Sequence, residues 1–384
     1  MRRSDLHQPA CVTSMPPHVF ESVDAMLHPA GLRQVLGHAV DAVDHWPLAV
    51  EHLSGNTLEQ LRVWHAGRVS HFVLKHFHPQ DDWIMRLTHD HAVREVALFR
   101  GGIYGRLPPQ CYVPMIAAAR RGNAWTSLMV DVSTALEGSR DPPLAMEDLH
   151  RYIRHLAAVH AWFLHDASLH DPALGLCTLH DFVLILAPVT VQHELARGRP
   201  HPVLAAAERG WAVFKEVAPR AAAEVVTAVQ HDVRPLVDAL AIGPQTLVHG
   251  DYKLANLGTL APAAAHERAA LGARTIMLDW QDATRGPPLL DLGYFLAITA
   301  ARLALPKERV IALYRDALVA HGYTPAPETW DRDVTLGLLP GGAMRLLWQK
   351  ALGTQAADPV VRARAREELE WWCALVVRAR QWLP

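Results

Sequence analysis

The stretch LVHGDYKLANLGTL, residues 247–260, sets His249, Asp251, Lys253 and Asn256 within eight residues between two apolar flanks. Polar groups crowded between buried strands cost stability unless they are hydrogen-bonded or used. This segment therefore constrains the chain more than any other. Asp279 closes a second apolar run, TIMLDW. If NLGTL and TIMLD pair as a hairpin, the Ala-rich stretch 261–273 is the loop at its tip, and Asn256 and Asp279 meet at its open end. An amide oxygen beside a carboxylate suits Mg²⁺, which takes hard oxygen ligands. Asp251 then lies one turn of loop away, free to face a hydroxyl. Metal ligands beside an acceptor-orienting carboxylate are what phosphoryl transfer uses.

Around that island the pattern divides in two. Residues 1–18 read as a polar, Pro-containing tail and 19–38 as one or two short helices. Three β-like runs follow, AVDAVDHWPLAVEHL, TLEQLRVWH and VSHFVLKHF, the last two joined by a tight turn at Ala66-Gly67. Apolar spacing over 84–100 predicts one helix ended by Gly101-Gly102, and residues 109–132 predict two strands around the RRGN turn. After Val132, long Ala/Leu/His/Arg stretches at 144–166, 202–240, 306–321 and 359–382 predict helices. The expected fold class is α+β. A tail and short helix (1–34) precede a small N-lobe of antiparallel sheet with one main helix (35–131), and a large, mostly helical C-lobe follows (132–384).

Composition narrows the partners. A net charge of −2 over 384 residues gives no reason to expect nucleic acid or an anionic membrane. The longest apolar runs fall short of the ~20 residues that span a bilayer, and no apolar segment follows the N-terminal arginines. Four dispersed cysteines without a CxxC pair fit a reducing cytoplasm. Of the 37 basic residues only five are lysines: Lys75, Lys215, Lys253, Lys307 and Lys350. A lysine kept in so Arg-rich a chain is a candidate for chemistry that needs lysine.

His249-Gly250-Asp251, four residues and then Asn256, together with LDWQDATRGPPLLDLGYFL, resemble the motifs of the aminoglycoside phosphotransferase and choline kinase-like family, whose fold is the bilobal protein-kinase-like one. The resemblance implies an ATP-dependent phosphotransferase (GTP being a possible donor), with Asp251 as catalytic base, Asn256 and Asp279 as Mg²⁺ ligands, and Asp291 bracing the catalytic loop. Lys253 matches a protein-kinase loop position whose lysine contacts the transferred phosphate. Lys75, in FVLKHF, resembles the strand lysine that holds the α- and β-phosphates, with Glu95 as its partner. The phosphate loop departs from the protein-kinase pattern: LSGNTLEQL has one glycine, and no Walker motif occurs. Ser54, Gly55, Asn56 and Thr57 are candidates to cover the phosphates, with a plain hairpin turn as the other reading. LMVDV falls at the interlobe hinge and nominates backbone groups of Val130 and Val132 for adenine. His160 resembles a helix histidine of the family but reads as a core histidine bonded to backbone. Trp330, Trp348, Trp371, Trp372 and Trp382 read as helix-packing core.

Gly250 stands where protein kinases have the arginine that reads an activation-loop phosphate, and only 11 residues separate Asp279 from Asp291. Both features imply a small-molecule hydroxyl acceptor in place of a peptide. Residues 132–248 carry 13 acidic against nine basic residues, and residues 294–384 nine against 12. With no pronounced acidic field for a polycation, the expected acceptor is neutral or weakly charged. An aminoglycoside phosphotransferase and a nucleotide-binding pseudokinase are the alternatives.

Overall fold

The computed structural model describes residues 17–48, 55–138, 143–198, 201–262 and 272–383. Ser54, most of the N-terminal tail and most of the Ala-rich stretch 261–273 lie outside these residues. The first part of the chain runs β1 (His18–Phe20), α1 (Val23–Leu27), α2 (Pro29–Leu36), β2 (Ala42–Pro47), β3 (Thr57–His65), β4 (Arg68–His76), α3 (Trp83–Leu87), α4 (Arg94–Arg100), β5 (Cys111–Tyr112), β6 (Met115–Arg121) and β7 (Ala124–Val130). Six strands form one sheet in the order β1-β6-β7-β4-β3-β2, antiparallel except where β1 lies beside β6. Ala66 and Gly67 take φ of 45° and 72°, the left-handed pair that a two-residue hairpin turn requires.

Alternation along the strands gives the sheet two apolar faces. Leu61, Val63, Phe72, Leu74 and Leu128 pack under α1 and α2 through Met26 and Leu32. Phe77, Ala118 and Trp125 pack with Val96 and Phe99 of α4. Lys75, neighbouring Leu74 on the pleat, is thereby on the face that α4 covers.

The single helix expected over 84–100 is two short helices. Asp82 caps α3 by accepting from the Met85 N–H at 3.0 Å, and His89 and Val93 sit at φ of 50° and 55°. Both Asp90 carboxylate oxygens accept from the Arg94 N–H, at 2.8 and 2.9 Å, which satisfies the first free N–H of α4 from ahead of its N-cap, Val93. A positive φ at a β-branched residue is an outlier, and here it immediately precedes Arg94 and Glu95.

The second part contains α5 (Met146–Trp162), α6 (Leu179–Leu184), α7 (Pro188–Leu195), α8 (Pro202–Val217), α9 (Arg220–His231), α10 (Arg234–Ala241), β8 (Thr246–Val248), β9 (Leu257–Leu260), β10 (Arg274–Met277), β11 (Thr284–Gly286), α11 (Leu289–Ile298), α12 (Lys307–Ala320), α13 (Pro327–Leu338), α14 (Arg345–Gly353) and α15 (Pro359–Ala379). The stretch 202–240 is broken into three helices, with prolines at the starts of α8 and α10 and at the N-cap of α9. One large apolar core joins these helices and includes Trp348 and Trp372; Trp330, Trp371 and Trp382 pack against it. The tryptophans are core, as expected.

β9 and β10 pair antiparallel with Leu257 opposite Met277, and the Leu278 N–H donates to the Asn256 carbonyl at 2.9 Å. The hairpin thus brings Asn256 and Asp279 together at its open end. β5, expected with the N-lobe strands, instead pairs parallel with β10 and ties the two parts together. A small sheet lobe over a large helical lobe, with this island between them, is the protein-kinase-like bilobal arrangement. Cys111, Cys177 and Cys373 are buried and free. Among the described residues no helix is long and apolar enough to cross a membrane.

Candidate active site

The loop after β8 is held by its backbone. One carboxylate, that of the fully buried Asp291, accepts from the His249 N–H and the Gly250 N–H, each at 2.7 Å. His160 of α5 bonds the same carboxylate at 3.1 Å and the Tyr314 hydroxyl at 2.6 Å. Asp291 therefore does brace the loop. His160, expected to bond backbone through its ring, instead supports that brace, because α5 and α11 approach closely enough for two buried polar groups to satisfy each other.

Gly250 adopts φ of +85°, and a Cβ there would stand 2.2 Å from the Asp282 carbonyl oxygen. The position that holds arginine in protein kinases has no room here for any side chain. Asp251 follows, 6% exposed. Its Oδ2 accepts from Lys253 Nζ at 2.7 Å and from Asn256 Nδ2 at 2.9 Å. Its Oδ1 is buried and has no hydrogen-bond partner among the described residues. A buried carboxylate oxygen left unsatisfied costs about 1–3 kcal/mol, a cost that a donor from a substrate would offset. Burial works against the charge on Lys253, but Asp251 beside it holds the ammonium above its usual range.

The second cluster spans both lobes. Lys75 Nζ donates to Glu95 Oε2 of α4 and to Asp279 Oδ1, both at 2.8 Å. Burial opposes the lysine's charge, and the two carboxylates overcome it, Asp279 before Glu95. Burial raises Glu95, offset in part by Lys75. For Asp279 burial also acts upward, yet Lys75 and then Lys253 pull its carboxyl down to about 2. The Asp279 side chain remains 36% exposed, and its backbone is left-handed at φ 63°, ψ 65°, a conformation associated with functional sites. Ionised, partly open and strained, Asp279 is built to present an anion.

Oxygen donors suitable for a divalent cation are present. The Asn256 amide nitrogen is committed to Asp251, at 2.9 Å to the carboxylate and 3.0 Å to the carbonyl, which leaves the amide oxygen as its other end. Lys75 engages one oxygen of Asp279. The pair fits Mg²⁺, a hard ion usually bound by one or two protein oxygens with phosphates and water completing the shell.

Asn56, nominated for the phosphates, turns its buried side chain inward: Nδ2 donates to Asp82 Oδ2 at 2.8 Å and to Gln281 Oε1 at 3.3 Å, and Oδ1 accepts from the His78 N–H at 3.2 Å. Gly55 sits beside it at φ 120°, where a Cβ would stand 2.6 Å from the Asp81 carbonyl oxygen. At the hinge, the Val130 N–H is already taken by the Pro114 carbonyl at 2.9 Å, and the Val132 carbonyl by the Ala135 N–H. The bulge between β6 and β7 at Met115/Ala117 accompanies the Pro114 bond.

Three further residues shape the site without having been singled out in the sequence. Arg94, 1% exposed, donates to the Gln281 carbonyl and, at 2.6 Å, to the Gly175 carbonyl. It clamps the helix carrying Glu95 onto the segment that follows Asp279. Gln281 donates to Asp82 Oδ1 at 3.0 Å and joins the Asn56 network. Arg345 of α14 donates to the Gly250 carbonyl at 2.8 Å and to the Asp282 carboxylate. An arginine inside the apolar run GGAMRLLW was the one available signal for the last of these.

No family model matches the chain, and no curated protein matches it. Solved structures do match over most of their length. An ethanolamine kinase from Plasmodium vivax is 11% identical, with 93% of this chain and 88% of that one covered and a TM-score of 0.49. A spectinomycin phosphotransferase, APH(9)-Ia, in complex with ADP and spectinomycin, is 11% identical over 92% and 98%, with a TM-score of 0.38. The aminoglycoside phosphotransferase APH(3'')-Id from Streptomyces rimosus is 16% identical over 85% and 99%, with a TM-score of 0.41. With TM-scores below 0.5, none of these likenesses decides what this chain does; its own side chains have to.

Proposed function

We propose that this chain is an ATP-dependent phosphotransferase that moves the γ-phosphoryl group to a hydroxyl of a small, neutral or weakly charged molecule. The observation that carries the reading is the pairing of two unlike anionic centres. Asp251 is locked through one oxygen and its backbone, with the other oxygen unpartnered. Asp279 is held ionised beside Lys75.

In this reading Lys75, oriented by Glu95, binds the donor's phosphates, and Asn256 and Asp279 hold Mg²⁺, which when bound neutralises phosphate charge. Asp251 Oδ1 accepts the hydrogen bond of the acceptor hydroxyl and takes its proton as the new O–P bond forms and the bond to the leaving ADP oxygen breaks. Lys253, bonded to Asp251 Oδ2, keeps that carboxylate in place and puts a positive charge beside the reacting phosphoryl group. Positioning and electrostatics supply the rate.

Lys253 at 2.7 Å from Asp251 and the Asp282 carboxylate neutralised by Arg345 next to the loop support a neutral or weakly charged acceptor over a polycation. Acceptor-dependent ADP release from MgATP, screened over neutral sugars and alcohols beside kanamycin-type compounds, tests the proposal. Efficient, salt-sensitive turnover of the polycations alone would overturn the neutral-acceptor part.

A further inference from the structure

Arg345 opens α14 directly after a π-helical turn, Leu339–Met344. Such turns recur at functional sites. Close approach shapes this one: a Cβ on Gly341 would meet the Leu290 carbonyl oxygen at 2.3 Å, and one on Gly342 the Trp372 ring at 2.2 Å. The turn is thus pressed onto α11 and α15, and the guanidinium that follows it is driven inward. It lies 4.6 Å from the Tyr294 ring centroid and 5.3 Å from that of Phe182, at 4% exposure, too buried to meet a substrate.

Its two donations go to different groups, the Gly250 carbonyl and the Asp282 carboxylate. Nη1 bonds the Gly250 carbonyl at 2.8 Å, while Nη2 bonds Asp282, itself 1% exposed. The peptide bearing the Gly250 carbonyl also bears the Asp251 N–H, which bonds His249 Nδ1 at 3.2 Å. Asp291 fixes the preceding N–H groups. Without Arg345, the 250–251 peptide would lose the bond on its carbonyl side. We propose that Arg345 is a positioning residue for Asp251: anchored by Asp282, it sets the plane of the Gly250–Asp251 peptide and so the direction in which the Asp251 carboxylate leaves the loop. This rests on the phosphotransferase reading. A buried ion pair is a poor source of stability compared with apolar side chains of the same volume, so its place against the catalytic loop calls for another use. A planar fork holds a carbonyl and a carboxylate in one fixed geometry, which an ammonium on a flexible stem does not reproduce although it carries three donors.

The test compares wild type, Arg345→Lys, Asp251→Asn and the double variant, with Asp282→Asn as a milder break of the anchor. Phosphate release from MgATP, with water as acceptor, is measured per folded molecule, and amide hydrogen exchange is followed over residues 246–256. Arg345→Lys is expected to lower kcat about 100-fold, the order a misplacement of about 1 Å costs, with KM for MgATP within about two-fold. It should add nothing to Asp251→Asn and should speed exchange in the loop; Asp282→Asn should shift both in the same direction by less. Unchanged loop exchange with unchanged kcat overturns the proposal. So does a loss that is fully additive with Asp251→Asn, which would mark a role independent of that carboxylate. A wild type that transfers phosphate neither to water nor to any hydroxyl compound would fell the phosphotransferase reading alone, and the exchange arm would still decide whether Arg345 holds the loop.

Discussion

The two anionic centres of the cleft are built on opposite plans. The Lys75–Glu95–Asp279 cluster is made by side chains from three separate segments, is satisfied by charge and leaves Asp279 a third exposed. The Asp251 centre is almost fully buried in one short loop: Lys253 and Asn256 hold one oxygen of its carboxylate, while Asp291 and Arg345 brace the backbone just before it. A centre held by charge and left partly open at Asp279 can take up a charged ligand. A buried carboxylate on a loop braced at its backbone keeps one oxygen aimed at one place. The first plan suits a nucleotide and its metal, the second an acceptor hydroxyl.

The sharpest break of this contrast is Asp251→Asn. It should lower phosphoryl transfer by about 10³-fold, within the range for loss of a positioned base, while MgATP affinity stays within about two-fold. Calorimetric binding beside a turnover assay measures both. A smaller effect of the opposite kind is expected at the charge-satisfied centre. Lys75→Arg keeps the charge but replaces a compact ammonium with a planar fork, and should weaken MgATP binding about tenfold, roughly 1.4 kcal/mol. Lys215→Arg, on the exposed face of α8, is the control and should change neither quantity. Equal tolerance at both lysines would remove Lys75 from the phosphate site.

Acid separates the two centres further. His155 of α5 is buried against Thr275 of β10 at 2.7 Å, and burial, with Arg154 and Arg151 nearby, lowers its pKa from 6.5 to about 3. Below pH 6.5 the unfolded chain takes this proton and the folded chain does not. Stability should therefore fall as pH drops from 6.5 towards 3, by at most about 1.4 kcal/mol per pH unit. Asp279 has the lowered pKa of a paired carboxylate, so its contribution is present above 3.8 and is lost only as pH falls through about 2. Between pH 6.5 and 4, then, histidine burial beneath the hairpin weakens the fold while Asp279 stays charged. Thermal melts of wild type and His155→Gln over that range should show a shallower slope in the variant; identical slopes would place the acid sensitivity elsewhere.

What could be read in the sequence was what local spacing fixes. Asp251 and Asn256 lie five residues apart on one loop, and the β9–β10 register delivers Asp279 to Asn256 once the hairpin is recognised. Lys75 and Glu95 were legible because a strand and the helix covering it are near neighbours in sequence. Asn56 was not, since its partner Gln281 is 225 residues away and nothing local turns its side chain inward. The break at 88–93 had one local signal, the polar run Thr88-His89-Asp90-His91 between Leu87 and Ala92, which the apolar spacing on either side masks. Arg345 reads locally as the polar position of a helix, and only the docking of the π-turn on α11 shows that it points at the Gly250 carbonyl.

The account stands or falls on whether the two centres act on one phosphoryl group. The direct measurement is transfer of label from γ-labelled ATP, with Mg²⁺, to a panel of hydroxyl compounds by wild type and by Asp251→Asn. Acceptor-dependent transfer by the wild type, with a variant that binds MgATP equally well and transfers nothing above about a thousandth of that rate, is the predicted result. A folded wild type that binds MgATP yet labels no acceptor, or an Asp251→Asn variant that transfers as fast as the wild type, would contradict it.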